Sequence, residues 1–155
     1  MKLENKKGFT LIEVLLVIAI LAILAAIVII AVNPGKQLAT ARDGVRLADV
    51  NTILNAIHQY SLDNEGLLPG GISTTTGALE ICRTESVICT DLYDLSEITD
   101  DEVYLLTFPH DPRCPYDGAY CADNGIGYYV SQTPGGRINV FAPGAEIYDE
   151  ISVTK

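Results

Sequence analysis

Leu11 to Val32 limits what this chain can become: 22 residues that hold one charge, Glu13. As a helix rising about 1.5 Å per residue, such a run reaches about 33 Å, enough to cross a hydrocarbon core of about 30 Å. A secretory signal peptide has a shorter apolar core closed by a small-x-small cleavage site. Here Ala-rich patches run through the segment instead of closing it. Ahead of it, Lys2, Lys6 and Lys7 stand against Glu4 in a leader of net charge +2. Positive residues stay cytoplasmic, so Met1 is expected inside and the rest of the chain outside.

Glu13 lies two residues inside the apolar run. A charge there is costly and normally has a partner. A helix N-terminus favours an acid by about 0.3–1 kcal/mol, so complementing the dipole is one reading of Glu13. The residues around it supply another. Lys6-Lys7-Gly8-Phe9-Thr10-Leu11-Ile12-Glu13 resembles the processing site of type IV prepilins and of type II secretion pseudopilins: a short basic leader, a Gly, then Phe-Thr-Leu-Ile-Glu opening a long apolar helix. The resemblance implies cleavage by a prepilin peptidase between Gly8 and Phe9, N-methylation of Phe9, and a role for Glu13 in setting the register of a new subunit against its neighbour. It also implies a type IV pilin-like α+β fold, with a long N-terminal helix packed against a small head that carries a short antiparallel sheet.

Helical spacing continues beyond the apolar run. Leu47, Val50, Leu54, Ile57 and Ser61 repeat at intervals of three and four, with Ile53 and Tyr60 beside them. Arg42, Arg46, Asp49 and Asp63 fall off that stripe, which is expected to face the head. Asn64-Glu65-Gly66 reads as a stop. Asn33-Pro34-Gly35 interrupts the helix, because Pro34 lacks an N–H and crowds the carbonyl of Ile30. A kink near Pro34 is what the pilin resemblance implies; a simple membrane-exit break is the other reading. The expected organisation is a cleaved leader over 1–8, a transmembrane and filament-core helix over 9–32, its amphipathic continuation over 33–65, and a head over 66–155.

In the head, Gly127–Ser131 and Arg137–Phe141 read as two strands joined at Thr133-Pro134-Gly135-Gly136. Asp91–Ile98 reads as a short helix capped by Thr90. Phe108-Pro109-His110-Asp111-Pro112, Gly127-Tyr128-Tyr129 and Val140-Phe141-Ala142-Pro143 resemble segments of pilin and major-pseudopilin heads. Cys82 and Cys89 are seven apart, as are Cys114 and Cys121. Four cysteines in an exported domain read as disulfides with three possible connectivities, of which Cys82–Cys89 and Cys114–Cys121 close local loops. Zinc sites favour tighter ligand pairs than His110 and Cys114 offer. Asp111, Asp117, Asp123 and Asn124 have oxygen ligands suited to Ca²⁺, but they lack an Asp-x-Asp-x-Asp-Gly pattern and equally suit turns. Tyr120, Tyr128 and Tyr129 read as an adhesive patch or as sheet packing. His58 reads as a packing or surface residue on the helix.

Residues 67–155 hold 14 acids and 4 bases. That balance speaks against nucleic-acid binding, which rests on clustered Lys and Arg. No Gly-x-Ser-x-Gly, phosphate loop or paired catalytic carboxylates are present, so an enzyme is not expected. The expectation is a structural subunit, in an extracellular pilus-like filament or, alternatively, in a secretion pseudopilus. Its expected partners are copies of itself or other pilins, the prepilin peptidase and an inner-membrane assembly platform. A membrane-anchored binding protein that never polymerises is the reading from another class; it would keep its leader and tolerate Glu13→Ala.

Overall fold

The computed structural model describes residues 8–75, 77–84, 86, 88–114 and 121–155. The leader up to Lys7, together with Asp117 and Tyr120, lies outside the described residues. The chain divides into two compact units, 1–38 and 39–155.

In the first unit, helix α1 runs from Leu11 to Val32 and buries none of its residues. It ends at Asn33, which takes a left-handed conformation with φ 47° and ψ 75°. Asn tolerates that region better than most residues. Helix α2, Pro34–Asp63, begins at the next residue. Pro34 thus sits at a first helical position, where a missing N–H costs nothing. The Asn33 side chain caps the new helix, its Oδ1 accepting from the Lys36 N–H at 3.3 Å. The interruption is therefore one residue wide, and the expected crowding of Ile30 by Pro34 is avoided by the turn at Asn33.

In the second unit, α2 buries Ala39, Asp43, Arg46, Val50, Ile53, Leu54, Ala56 and Ile57. The stripe differs from the expected one at both edges. Leu47 is exposed, whereas Arg46 is fully buried. The helix ends past Asp63, where Glu65 and Gly66 both take positive φ and the Gly66 N–H reaches the Ser61 carbonyl at 2.8 Å.

Four antiparallel strands form one sheet in chain order: β1 Leu79–Cys82, β2 Gly125–Gln132, β3 Ile138–Ala142 and β4 Ile151–Thr154. The β2–β3 hairpin turns at Thr133–Arg137, with Gly136 at φ 81° and the Thr133 N–H bonded to the Arg137 carbonyl at 2.8 Å. Alternation aims Ile126, Tyr128 and Val130 of β2 and Ile138, Val140 and Ala142 of β3 into one apolar cluster with the buried face of α2. Each fully buried Ile or Val there contributes about 1.5–3 kcal/mol relative to exposure.

The expected helix over Asp91–Ile98 is shorter. Only Ser96–Thr99 is helical (α3), and the Ser96 N–H is taken by Asp94 Oδ1 at 3.0 Å rather than by a Thr90 cap. The reason is Tyr93. Its N–H bonds the Glu80 carbonyl at 2.8 Å and its carbonyl accepts from Cys82 at 2.9 Å, so this stretch serves the edge of β1.

Candidate functional site

Thr10 takes an extended conformation and caps α1. The pair Thr10 and Glu13 forms a reciprocal box. Glu13 N–H donates to Thr10 Oγ1 at 3.3 Å, while Thr10 N–H and Oγ1–H both donate to Glu13 Oε2 at 2.9 Å. Oε1 of the same carboxylate accepts no hydrogen bond among the described residues. The acid is thus held in place at the mouth of the helix, with one oxygen open to a further donor. The placement also agrees with the electrostatics of a helix N-terminus.

Upstream, Phe9 is 88 % exposed. A side-chain carbon added at Gly8 would meet nothing within 4 Å. Among the described residues nothing packs over Gly8 or requires a glycine there. Downstream, every residue of α1 is exposed, so its all-round apolar surface has no cover in its own unit. That pattern belongs to a helix that meets lipid or other chains.

The head holds a second constellation, which the sequence concealed. Arg46, 0 % exposed, donates to Asp111 through Nε at 2.6 Å and Nη2 at 3.0 Å, and through Nη1 to Asp43 at 2.8 Å and Glu146 at 3.0 Å. Arg42 adds a two-point pair to Glu146, with Nε at 2.6 Å from Oε1. Arg113 Nη1 lies 3.8 Å from the same carboxylate. Asp43 in turn accepts the N–H groups of Glu146 at 3.0 Å and Ile147 at 2.8 Å. Three arginines thus answer three acids, and the cluster pins the 143–147 and 108–114 segments to α2. Arg42's guanidinium holds the Glu146 carboxyl down, to about 2, with burial opposing and Arg46 assisting. Burial pushes Asp43 up, but the Ile147 and Glu146 N–H groups and Arg46 leave it below its usual range.

Cys82 is bonded to Cys89 and Cys114 to Cys121, with Cα separations of 5.6 and 5.5 Å. The two bridges are the local ones. Asp111 is taken by Arg46, and the Asn124 carbonyl accepts the Arg83 N–H at 2.7 Å. Among the described residues no three His, Cys, Asp or Glu side chains are grouped to hold a metal ion. Tyr128 is fully buried, its hydroxyl donating to Asp49 at 2.6 Å, so it is a core residue. Burial, with Asp49 adding to it, pushes the Tyr128 phenol up. Tyr129 is half-buried and stacks on Phe141 at 5.5 Å. His58 is half-buried against the core, and burial pulls its imidazole down.

Glu80 is the other buried acid. It accepts from Gly127 N–H at 2.7 Å and Ala122 N–H at 3.0 Å and lies against Gly125. It fastens the segment after Cys121 to β1.

No curated protein and no solved structure matches the chain. A family profile, the prokaryotic N-terminal methylation motif, matches residues 4–29. That span contains the Gly8–Phe9 junction, the Thr10–Glu13 box and most of α1. The chain therefore carries, over residues 4–29 and on an α+β scaffold with a four-stranded head, the N-terminal signature of prepilins and pseudopilins.

Proposed function

We propose that the chain is a structural subunit, not an enzyme, that polymerises through α1 into a pilus-like filament outside the cytoplasmic membrane. The precursor spans the inner membrane once, its basic leader in the cytoplasm. The peptidase cuts between Gly8 and Phe9, and Phe9 becomes a methylated N-terminal amine. The single observation that carries this reading is the Glu13 carboxylate. It is held by Thr10 with one oxygen open, at the head of a helix that is apolar all round and covered by nothing in its own unit.

The chemistry is an amine meeting an acid. An α-amino group titrates near 7.7–8.0, so much of it is cationic at neutral pH. At about 4 Å and an effective dielectric of 20, amine and carboxylate attract by about 4 kcal/mol. Desolvation offsets part of that, so the contact fixes register more than it adds stability. Apolar contact between α1 helices supplies the rest, replacing lipid with neighbouring chains.

The test is Glu13→Ala in cells that carry the assembly platform. The expected result is a processed, membrane-inserted protein missing from the sheared surface fraction. Normal filament yield from that variant overturns the reading. A short periplasmic pseudopilus of a type II secretion system uses the same subunit chemistry, and filament length in that fraction separates the two. Gly8→Val is expected to block processing, because the peptidase must approach the backbone there. Intact mass showing a Phe9 terminus in that variant contradicts the processing step.

A further inference from the structure

Beside α2 the head has a groove of about 360 Å³. On the helix side it is lined by Gly44, Leu47 and Asp43, whose carboxylate is already held by Arg46 and the Ile147 N–H, and on the other side by Tyr148, Glu150 and Ile151. Gly44 is the least favourable residue for a helix interior after proline. A side-chain carbon added there meets nothing within 4 Å, so no neighbour in this chain requires a glycine. Its effect is to leave the groove open to something that comes close to the helix. Tyr148 is 63 % exposed at the rim, and the Glu150 carboxylate is exposed without a partner among the described residues. Apolar contact at Leu47 and Ile151, an aromatic face and an open acid are together suited to an arginine. The stem lies against Leu47 and Ile151, and the guanidinium stacks on the ring and pairs with the carboxylate.

The chain offers such an arginine elsewhere on the head. Arg137 closes the β2–β3 turn, exposed, and its guanidinium has no partner among the described residues. The turn before it, Pro134-Gly135-Gly136, is small enough to enter a groove. Knob and groove lie at opposite ends of one ladder. β3 starts at Ile138, next to the turn, and ends at Ala142, which pairs with Ile151 in the groove lining. Four residue steps separate those ends, about 14 Å. One copy cannot fill its own groove across that ladder. A contact that joins one end of a copy to the other end of the next is heterologous and propagates as an open array. Residues 67–155, with 14 acids and 4 bases, repel their like when brought side by side, so a cation-to-acid contact is what lets copies approach.

We infer that the Arg137 turn of one copy docks into the groove beside Gly44, Tyr148 and Glu150 of a second copy of this chain. The inference rests on the filament reading and names the head-to-head contact within it.

The experiment compares full-length wild type, Arg137→Glu, Glu150→Arg and the double exchange in cells, reading sheared filament yield against total protein. Both positions are exposed, so all variants are expected to keep their two disulfides, and mass spectrometry checks this. Each single exchange is expected to lower the yield about fivefold, since attraction becomes repulsion at every contact, and the double exchange is expected to restore it. Cysteines at both positions are expected to cross-link filaments into ladders. Single exchanges that polymerise like wild type overturn the docking and leave the filament reading intact. Defective singles that the double exchange does not restore also overturn it, since the groove then takes a different occupant. A wild type that forms no filaments overturns the filament reading itself, and the docking with it.

Discussion

Arg46 and Asp111 are 65 residues apart in the chain and meet in a two-point ion pair, Nε to Oδ2 at 2.6 Å and Nη2 to Oδ1 at 3.0 Å, with both side chains buried. Removing Asp111 strands the buried Nε and Nη2 donors of Arg46, while Asp43 and Glu146 still pair its Nη1, and a lost hydrogen bond to a charged group costs about 1.5–3 kcal/mol. Asp111→Ala is therefore expected to destabilise the head by about that amount. Urea unfolding of the detergent-solubilised full chain, followed by near-UV circular dichroism, measures it. A change below about 1 kcal/mol would contradict the structural weight given to the pair.

The same cluster fixes the response to acid. Glu146 titrates near 2 in the folded chain, and Asp43 also sits below its usual range. A depressed carboxyl contributes stability above its unfolded value and loses it as pH falls toward the folded one. Unfolded Glu titrates at about 4.3, so the head is expected to hold its stability from pH 7 to about 5 and lose it between about pH 4.5 and 2. Arg42→Ala is expected to flatten that loss, because Arg42 is the main cause of the Glu146 shift. Unfolding midpoints at a series of pH values test both statements.

Gly125 is needed for space. A side-chain carbon there would lie 2.0 Å from Glu80 Oε1, and that carboxylate is pinned by two N–H donors, so it has nowhere to retreat. Gly125→Ala is expected to cost about 1–3 kcal/mol by overpacking. A variant as stable as wild type would show that Glu80 moves freely.

Gly44 presents the opposite case. Its surroundings are open, so Gly44→Ala is expected to stabilise the isolated chain by about 0.5–1 kcal/mol through helix propensity. Filament yield is expected to fall because the added methyl group narrows the groove. A gain in both stability and yield would remove the reason offered for this glycine.

What could be read from the sequence follows from the range of the signals. α1 needs only its own composition, and the β2–β3 hairpin needs only alternation and a Pro-Gly-Gly turn, so both were legible. The bridge pairings were also legible, because each closes a local loop. Arg46 was placed on the solvent side since its character is polar. Its burial depends on Asp111 and Glu146, which are 65 and 100 residues away. β1 was missed because it is four residues long: Leu79 and Ile81 alternate onto the core, while Glu80, on the other face opposite Tyr129, is buried by N–H groups 42 and 47 residues away. The helix expected at Asp91–Ile98 failed at Tyr93, whose backbone β1 claims. At the N-terminal end, Gly8, Phe9 and Glu13 fall within the matched motif over residues 4–29, and their roles rest on that likeness. The Thr10 contribution was not singled out, although Thr and Glu three apart before an apolar run is the capping-box pattern.

If the chain assembles as proposed, the full exposure of α1 has a consequence for how the subunit travels. Placing Leu11–Val32 in water would cost on the order of tens of kcal/mol. A free aqueous subunit is therefore never a stop on its route. The greasy shaft must pass directly from bilayer to neighbours, and shedding must return it to lipid. Growth then depends on how crowded the membrane is with precursor, and a bath of dissolved head would not feed it.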